Sequence, residues 1–358
     1  MNTPFRLAIN GYGRIGRCFL RALYESPLID RFRVVAINEP ADLDTMTYLT
    51  RFDSTHGVFH GKVEQGAQSM LIDGHEIAVT HASTPEEVDW PGLGIDMLIE
   101  CSGRYGTRGQ LQRFIDAGVP RLLLSHPGAS ATDVDATVVY GINHQKLTGH
   151  ERIVSNASCT TNAIVPVLNL LHGSFGVEQA FLTTLHSVMN DQPLIDGYHN
   201  SDLRLTRSAM QSFVPVATGL AKGVERLLPE LAGRIQAKAI RVPTLNVSAI
   251  DLMFQTQADV GVAEINALMR QAAKNAPDYI AYSDQPHASV DFNHDPHSAI
   301  FDGSQTRLCG SRMANTLVWF DNEWGFTNRL LDVTAIWSRL LDEQRETRPT
   351  GKSESESV

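Results

Sequence analysis

The run Asn10-Gly11-Tyr12-Gly13-Arg14-Ile15-Gly16, set between an apolar hexapeptide and a helix-forming stretch, leaves few folds open to the start of this chain. Phe5–Asn10 reads as a buried strand and residues 14–25 as a helix. Residues 32–37, with Val34-Val35-Ala36-Ile37, suit a central parallel strand. Strand, glycine-rich turn, helix and strand make one βαβ unit, the context that gives a GxGxxG pattern its meaning. Small residues let the backbone approach a pyrophosphate, whose charge then sits at the partly positive helix N-terminus. The expected nucleotide contacts are Gly11, Gly13, Arg14, Ile15 and Gly16. Glu39 closes the second strand at the offset of about 20 residues where a carboxylate accepts the ribose hydroxyls. Because it would also repel a 2′-phosphate, the expected cofactor is NAD rather than NADP. The plain alternatives are a tight turn that holds no ligand and a solvated surface glutamate.

The alternation continues. Met97–Glu100, 122–125 and 137–140 read as strands, and 108–117 as a helix between two of them. Such a pattern implies a mostly parallel sheet covered on both faces. After about residue 158 the texture changes: a helical stretch, 159–171, precedes long candidate strands at 179–187, 236–242 and 247–256. Fewer intervening helices imply an α+β unit on a mostly antiparallel or mixed sheet. Residues 327–341 read as a last amphipathic helix, and the polar Ser/Glu-rich 345–358 as a disordered tail. The expected organisation is therefore a Rossmann-type α/β unit over 1–158 and an α+β catalytic unit over 159–322.

A net charge of −10 argues against a general affinity for nucleic acid or anionic membrane, so anionic ligands need a local positive pocket. No apolar run approaches the roughly 18 residues of a membrane span, and the first residues do not read as a secretory signal. The four cysteines, Cys18, Cys101, Cys159 and Cys309, show neither CxxC nor metal-ligand spacing. Free thiols, no metal and a cytoplasmic location are expected.

Ser155-Asn156-Ala157-Ser158-Cys159-Thr160-Thr161-Asn162 sets a cysteine at a strand-to-helix junction. A helix N-terminus favours thiolate, and small polar neighbours leave the sulfur accessible. His186, one of thirteen histidines, lies on a later strand from which a base could serve the sulfur.

These segments, together with 241–248 (RVPTLNVS) and 321–326 (DNEWGF), resemble the signature segments of glyceraldehyde-3-phosphate dehydrogenases, in the same order and over about residues 5–340. The resemblance implies a nucleotide-binding domain completed by a C-terminal helix, here 323–342, and a homotetramer. It implies that Cys159 is the nucleophile, His186 its activator and Asn322 a contact to the nicotinamide carboxamide. It also implies substrate contacts from Ser158, Thr160, Thr218, Gly219 and Arg241. Residues 186–192 (HSVMNDQ) and 290–298 (VDFNHDPHS) are similar to the erythrose-4-phosphate dehydrogenase branch, which implies a four-carbon sugar-phosphate substrate and a place in pyridoxal 5′-phosphate synthesis.

Two departures bear on chemistry. Met189 stands where three-carbon enzymes of the family commonly carry a phosphate-holding threonine, and Leu205 where they carry a phosphate-binding arginine. Arg204 or Arg207 is the expected substitute, with surface charges as the plain alternative. Ser83 stands where relatives often use an arginine on the dinucleotide. Loss of the arginine disfavours attack of phosphate on a Cys159 thioester, so hydrolysis is expected. The rival readings are a phosphorylating enzyme of the same family, a non-catalytic NAD-binding protein, and an aspartate-semialdehyde-type dehydrogenase, which Glu39 opposes.

Overall fold

A computed structural model of the chain describes residues 4–199 and 202–347. Its first sheet has nine strands. Seven are parallel, in the order Ala136–Thr137, Ile153–Ser155, Leu122–Leu124, Met97–Glu100, Phe5–Asn10, Phe32–Asn38 and His75–Thr80. Ser69–Ile72 and Val63–Gln65 extend that edge as an antiparallel meander, which periodicity had not announced. Strand order reverses at Phe5–Asn10, flanked by Phe32–Asn38 on one side and Met97–Glu100 on the other. Such a switch point opens a crevice at the carboxyl ends of the strands.

The second sheet holds seven strands, in the order Val214–Val216, Ile235–Arg241, Val177–His186, Ser248–Thr256, Met313–Phe320, Ala299–Cys309 and Ile280–Ser283. It is mixed, with parallel pairing only of Ile235–Arg241 with Val177–His186 and of Ile280–Ser283 with Ala299–Cys309. Cys159–Phe175, Leu220–Leu227 and Val262–Asn275 cover one face and share its core with Leu182, Leu252 and Phe254. The α/β plus α+β architecture follows.

The C-terminal helix, Trp324–Thr347, returns to the first sheet's core with Trp324, Leu330 and Trp337 and packs on Arg14–Tyr24. It begins earlier than its apolar periodicity indicates because Asp321 accepts from the N–H groups of Glu323 and Trp324, at 2.9 and 2.8 Å. It also reaches beyond 341, taking in the first residues of the expected tail. Residues 348–358, the rest of that tail, lie outside the described residues. The strand expected at 137–140 is likewise shorter. After Thr137 the chain turns inward, Val139 N–H donating to the Asn143 side chain at 2.8 Å, so Val138 and Val139 are apolar through burial alone. No helix among the described residues is long and apolar enough to cross a membrane.

Candidate active site

The glycine turn has the geometry its spacing implies. Gly11 sits at φ +85°, and a Cβ there would fall 2.5 Å from Ser102 N. A Cβ on Gly16 would lie 2.3 Å from the Gly11 carbonyl oxygen, so only glycine lets the first helix start against the strand end. Around Gly13, by contrast, the space is open. Gly13 caps the helix without a side-chain acceptor, which leaves the N–H groups of its first turn, including those of Arg14 and Ile15, directed outward. A cleft of about 150 Å³ faces this turn, lined by Gly11, Gly13, Asn38, Glu39, Ser83 and Arg104. Glu39 accepts from Tyr12 N–H at 2.7 Å and stands at the cleft wall. Open space over Gly13, unpaired N–H groups and a carboxylate at the second strand's end fit a dinucleotide. The Arg14 guanidinium is engaged elsewhere, on Asp53 at 2.5 Å and on Glu323 at 2.7 Å. Glu323, within ligand reach of Cys18 and His56, is thereby paired with Arg14.

Cys159 opens its helix two residues after a left-handed residue, Ala157 at φ +57°. A non-glycine residue pays roughly 1–2 kcal/mol for that conformation. The octapeptide supplies the compensation. Ser155 Oγ accepts from Ala157 N–H at 3.0 Å, and Asn162 Nδ2 donates to the carbonyls of Asn156 and Ser158, at 2.7 and 3.0 Å. Ser158 Oγ caps the helix by accepting from Thr161 N–H at 3.1 Å. The result is a sulfur held at the floor of a cleft of about 720 Å³, which His186, Met189, Asn322 and His126 also line.

His186 Nε2 lies 3.8 Å from Cys159 Sγ. Its Nδ1–H donates to the Ser187 carbonyl at 2.8 Å, which assigns the tautomer and turns the Nε2 lone pair to the thiol. Burial pushes the thiol up to about 11, against the pull of the Thr160 and Cys159 N–H groups. Burial also lowers the imidazole. The depressed thiol expected from a helix N-terminus is thus corrected: desolvation outweighs the helix field. Moving the proton from Sγ to Nε2 creates opposite charges 3.8 Å apart, an attraction of about 4 kcal/mol at an effective dielectric near 20. That attraction offsets much of what burial costs the two charges, so the thiolate is reached as one half of an ion pair and not as an isolated anion.

Asn322 is fixed by two hydroxyls. Ser187 and Ser248 donate to its Oδ1 at 3.0 and 2.8 Å, so its amide group points into the catalytic cleft. The distant signature segments meet at one carboxylate. Asp321 Oδ2 accepts from Asn246 Nδ2 and from His294 N–H, at 2.8 and 2.7 Å, while Asn293 reaches Thr55. Arg241 forms a bidentate pair with Asp191, at 2.5 and 3.0 Å, beside Met189 Sδ at 3.6 Å.

Ser158, Thr160, Thr218 and Gly219 come together on an adjoining cleft of about 360 Å³. Arg204 and Arg207 do not join them. Arg204 lies in the turn Leu203–Thr206 and lines neither cleft, and Arg207 pairs with Asp196 at 2.9 Å. Leu205 is buried. The cations on that cleft are Lys222 and Arg226, which sequence reading passed over. It also passed over His126, whose Nδ1 bonds the Pro127 carbonyl at 3.0 Å, and the fully buried Glu100, which holds Asn10 and Ser102. Glu100 ends one parallel strand and His126 lies just past the end of another, and the switch-point rule alone could have found them.

A dinucleotide turn at a switch point, joined to a half-buried thiol–imidazole pair, defines an NAD-dependent dehydrogenase of the aldehyde-oxidising type. Residues 5–108 match the NAD binding domain of glyceraldehyde 3-phosphate dehydrogenase, and residues 158–322 match its C-terminal domain. The chain belongs to the glyceraldehyde 3-phosphate dehydrogenase family.

Proposed function

We propose that this dehydrogenase oxidises D-erythrose 4-phosphate to 4-phosphoerythronate, with water resolving a thioester on Cys159. One observation carries the choice of substrate and of final acceptor: apolar side chains, Met189 and Leu205, stand at two positions where three-carbon enzymes of the family carry phosphate ligands. Met189 offers Arg241 a thioether in place of a hydroxyl, and Leu205 has no charge to steer an attacking phosphate. A charge-assisted contact contributes about 1.5–3 kcal/mol, so its loss slows phosphate attack by one to two orders of magnitude.

In this reading Cys159 Sγ attacks the aldehyde carbon while its proton resides on His186 Nε2. The Cys159 N–H stabilises the oxyanion that develops. Neutral again, His186 removes the hydroxyl proton of the hemithioacetal as a hydride leaves the same carbon. When bound, NAD would supply the acceptor for that hydride. The Asn322 amide would hold its carboxamide, and the backbone of Arg14, Ile15 and the three glycines its pyrophosphate. Water then adds to the thioester, the C–S bond breaks, and the acid departs with Cys159 regenerated. Supply of the four-carbon acid to pyridoxal 5′-phosphate synthesis, a cytoplasmic location and a homotetramer belong to the same reading. Support for the tetramer is the uncovered face of the second sheet, where Phe181, Met253 and Met313 project side by side from neighbouring strands.

The test compares kcat/KM for erythrose 4-phosphate and glyceraldehyde 3-phosphate, with and without inorganic phosphate. The four-carbon aldehyde should be preferred and its turnover indifferent to phosphate. Strong phosphate dependence with the three-carbon aldehyde would overturn the proposal.

A further inference from the structure

Two imidazoles meet where the dinucleotide helix and the C-terminal helix approach the segment 290–298. His56 lies in the turn between Phe52–Asp53 and Gly57–Val58, and its side chain is fully buried. His294 follows the turn Ser289–Phe292 at φ +67°, its N–H held by Asp321. Trp324, the first residue of the C-terminal helix, stacks on the His294 ring with centroids 3.6 Å apart. The two Nδ1 atoms are 3.1 Å apart. His56 Nε2 lies 2.9 Å from Glu323 Oε2, and His294 Nε2 lies 3.0 Å from Glu25 Oε2. A chain of contacts thus runs from Glu25, at the end of the first helix, through both rings to Glu323. Each carboxylate oxygen accepts an N–H, and one Nδ1 donates to the other, so the ring nitrogens together carry three protons. Two neutral imidazoles carry only two. The chain closes with one proton added; a second would set N–H against N–H, and without the first two lone pairs would face each other or one would face a carboxylate. The other charged and titratable groups packed around the rings are Arg14, Asp53 and Asp321, with Arg21 on the Gly57 carbonyl and the Cys18 thiol.

We infer that His56 and His294 form one positioning unit, sharing a proton, that holds Glu323 and Arg14 in place at the cofactor's edge of the catalytic cleft. Glu323 Oε2 meets His56 while its Oε1 accepts from Arg14 Nε, and Glu323 directly follows Asn322. Arg14, Asn322 and Glu323 all line the cleft, whereas neither imidazole does, so the pair acts through its neighbours. Burial works against the Glu323 charge, yet Arg14 and His56 outweigh it and hold the carboxyl below its usual range. The inference rests on the contacts of Asn322 and Arg14 to NAD proposed above and is independent of which aldehyde is oxidised. It makes NAD affinity depend on pH. The shared proton is present at lower pH and lost as pH rises, and the hold on Glu323 weakens with it.

Calorimetric titration of the full-length enzyme with NAD, from about pH 6 to 9, tests it. The same series in Cys159→Ser keeps the thiol's own ionisation out of the profile. Affinity should fall toward the alkaline end. Glu25→Gln, at the partly exposed end of the chain of contacts, removes a charge that favours the shared proton, so the fall should move to lower pH. In His294→Asn the new side chain tolerates the left-handed backbone. That variant should bind NAD about tenfold more weakly at neutral pH, with a flattened profile. In steady state its KM for NAD should rise by a similar factor while kcat changes less than about twofold. A packing role alone would lower the melting temperature and leave the pH profile as in the parent enzyme, and that outcome overturns the inference. So does a parent NAD affinity indifferent to pH, or an unshifted profile in Glu25→Gln. The two readings fail separately. A mistaken choice of aldehyde would leave these binding profiles untouched, and profiles that ignore both substitutions would leave the comparison of the two aldehydes standing.

Discussion

At the residue scale, the Cys159–His186 pair depends on mutual charge more than on the helix field. Taken alone, each group is driven by burial to its neutral form, the thiol toward about 11 and the imidazole downward. Removing the imidazole removes the counter-charge but not the burial. In His186→Asn the thiolate should appear only as pH climbs toward the raised thiol value. Alkylation of Cys159 by iodoacetamide at pH 7.5 should then slow at least tenfold, with the rate still rising above pH 9. An unaltered pH–rate profile would show that the helix terminus alone creates the thiolate. Cys159→Ser should abolish aldehyde oxidation while NAD binding, followed by quenching of protein fluorescence, stays intact. The octapeptide was legible in sequence because its residues act locally: Ser155, Asn162 and Ser158 all bond within a few residues of the sulfur. His186 was not legible on its own, since its partner is 27 residues away and a fold is needed to bring them to 3.8 Å.

At the scale of elements, the glycines govern how closely helices start against their neighbours. Gly16→Ala would set a methyl 2.3 Å from a backbone oxygen, a conflict no side-chain rotation relieves. Overpacking of this kind costs about 1–3 kcal/mol. A fall in melting temperature of several degrees and a loss of NAD affinity of tenfold or more are expected from calorimetry of Gly16→Ala. Gly13→Ala, with open space at its Cβ, should lose far less stability. Strands buried on both faces, such as Phe5–Asn10 and Met97–Glu100, were readable as apolar runs. Ala299–Cys309 was not: it buries both faces at its start, then carries Ser304, Gln305 and Arg307 where it emerges, and so shows no single period. The meander from Val63 to Thr80 escaped for a similar reason, its strands being three to six residues long with turns of Gly and Asp between them.

At the scale of the whole molecule, the second sheet leaves one apolar face uncovered. Phe181 is 46% exposed and pairs in register with Met253, which is also 46% exposed. Such a face, matched against a second copy, buries an apolar stripe that water otherwise covers. On the proposal that this face builds a tetramer, Phe181→Glu should shift the species seen in analytical ultracentrifugation toward smaller assemblies. A sedimentation coefficient unaffected by the substitution would remove this face from the assembly. The C-terminal helix belongs to the same scale. Trp324 and Trp337 join a core begun more than 300 residues earlier, and Arg14 reaches Glu323 at that seam.

The sequence by itself determined the local geometry at the two chemical centres: a turn in which Gly16 lies against Gly11, and a cysteine capped by its own neighbours. Those depend on contacts between residues close along the chain, which composition and spacing encode directly. Tertiary structure alone decided which cations line the cleft beside the catalytic helix. Lys222 and Arg226, not Arg204 or Arg207, line the cleft beside Cys159, because Gly223 permits one helix to close on another and Leu205 turns inward. Neither the approach of two helices nor the direction of a buried leucine is written in the spacing of charges.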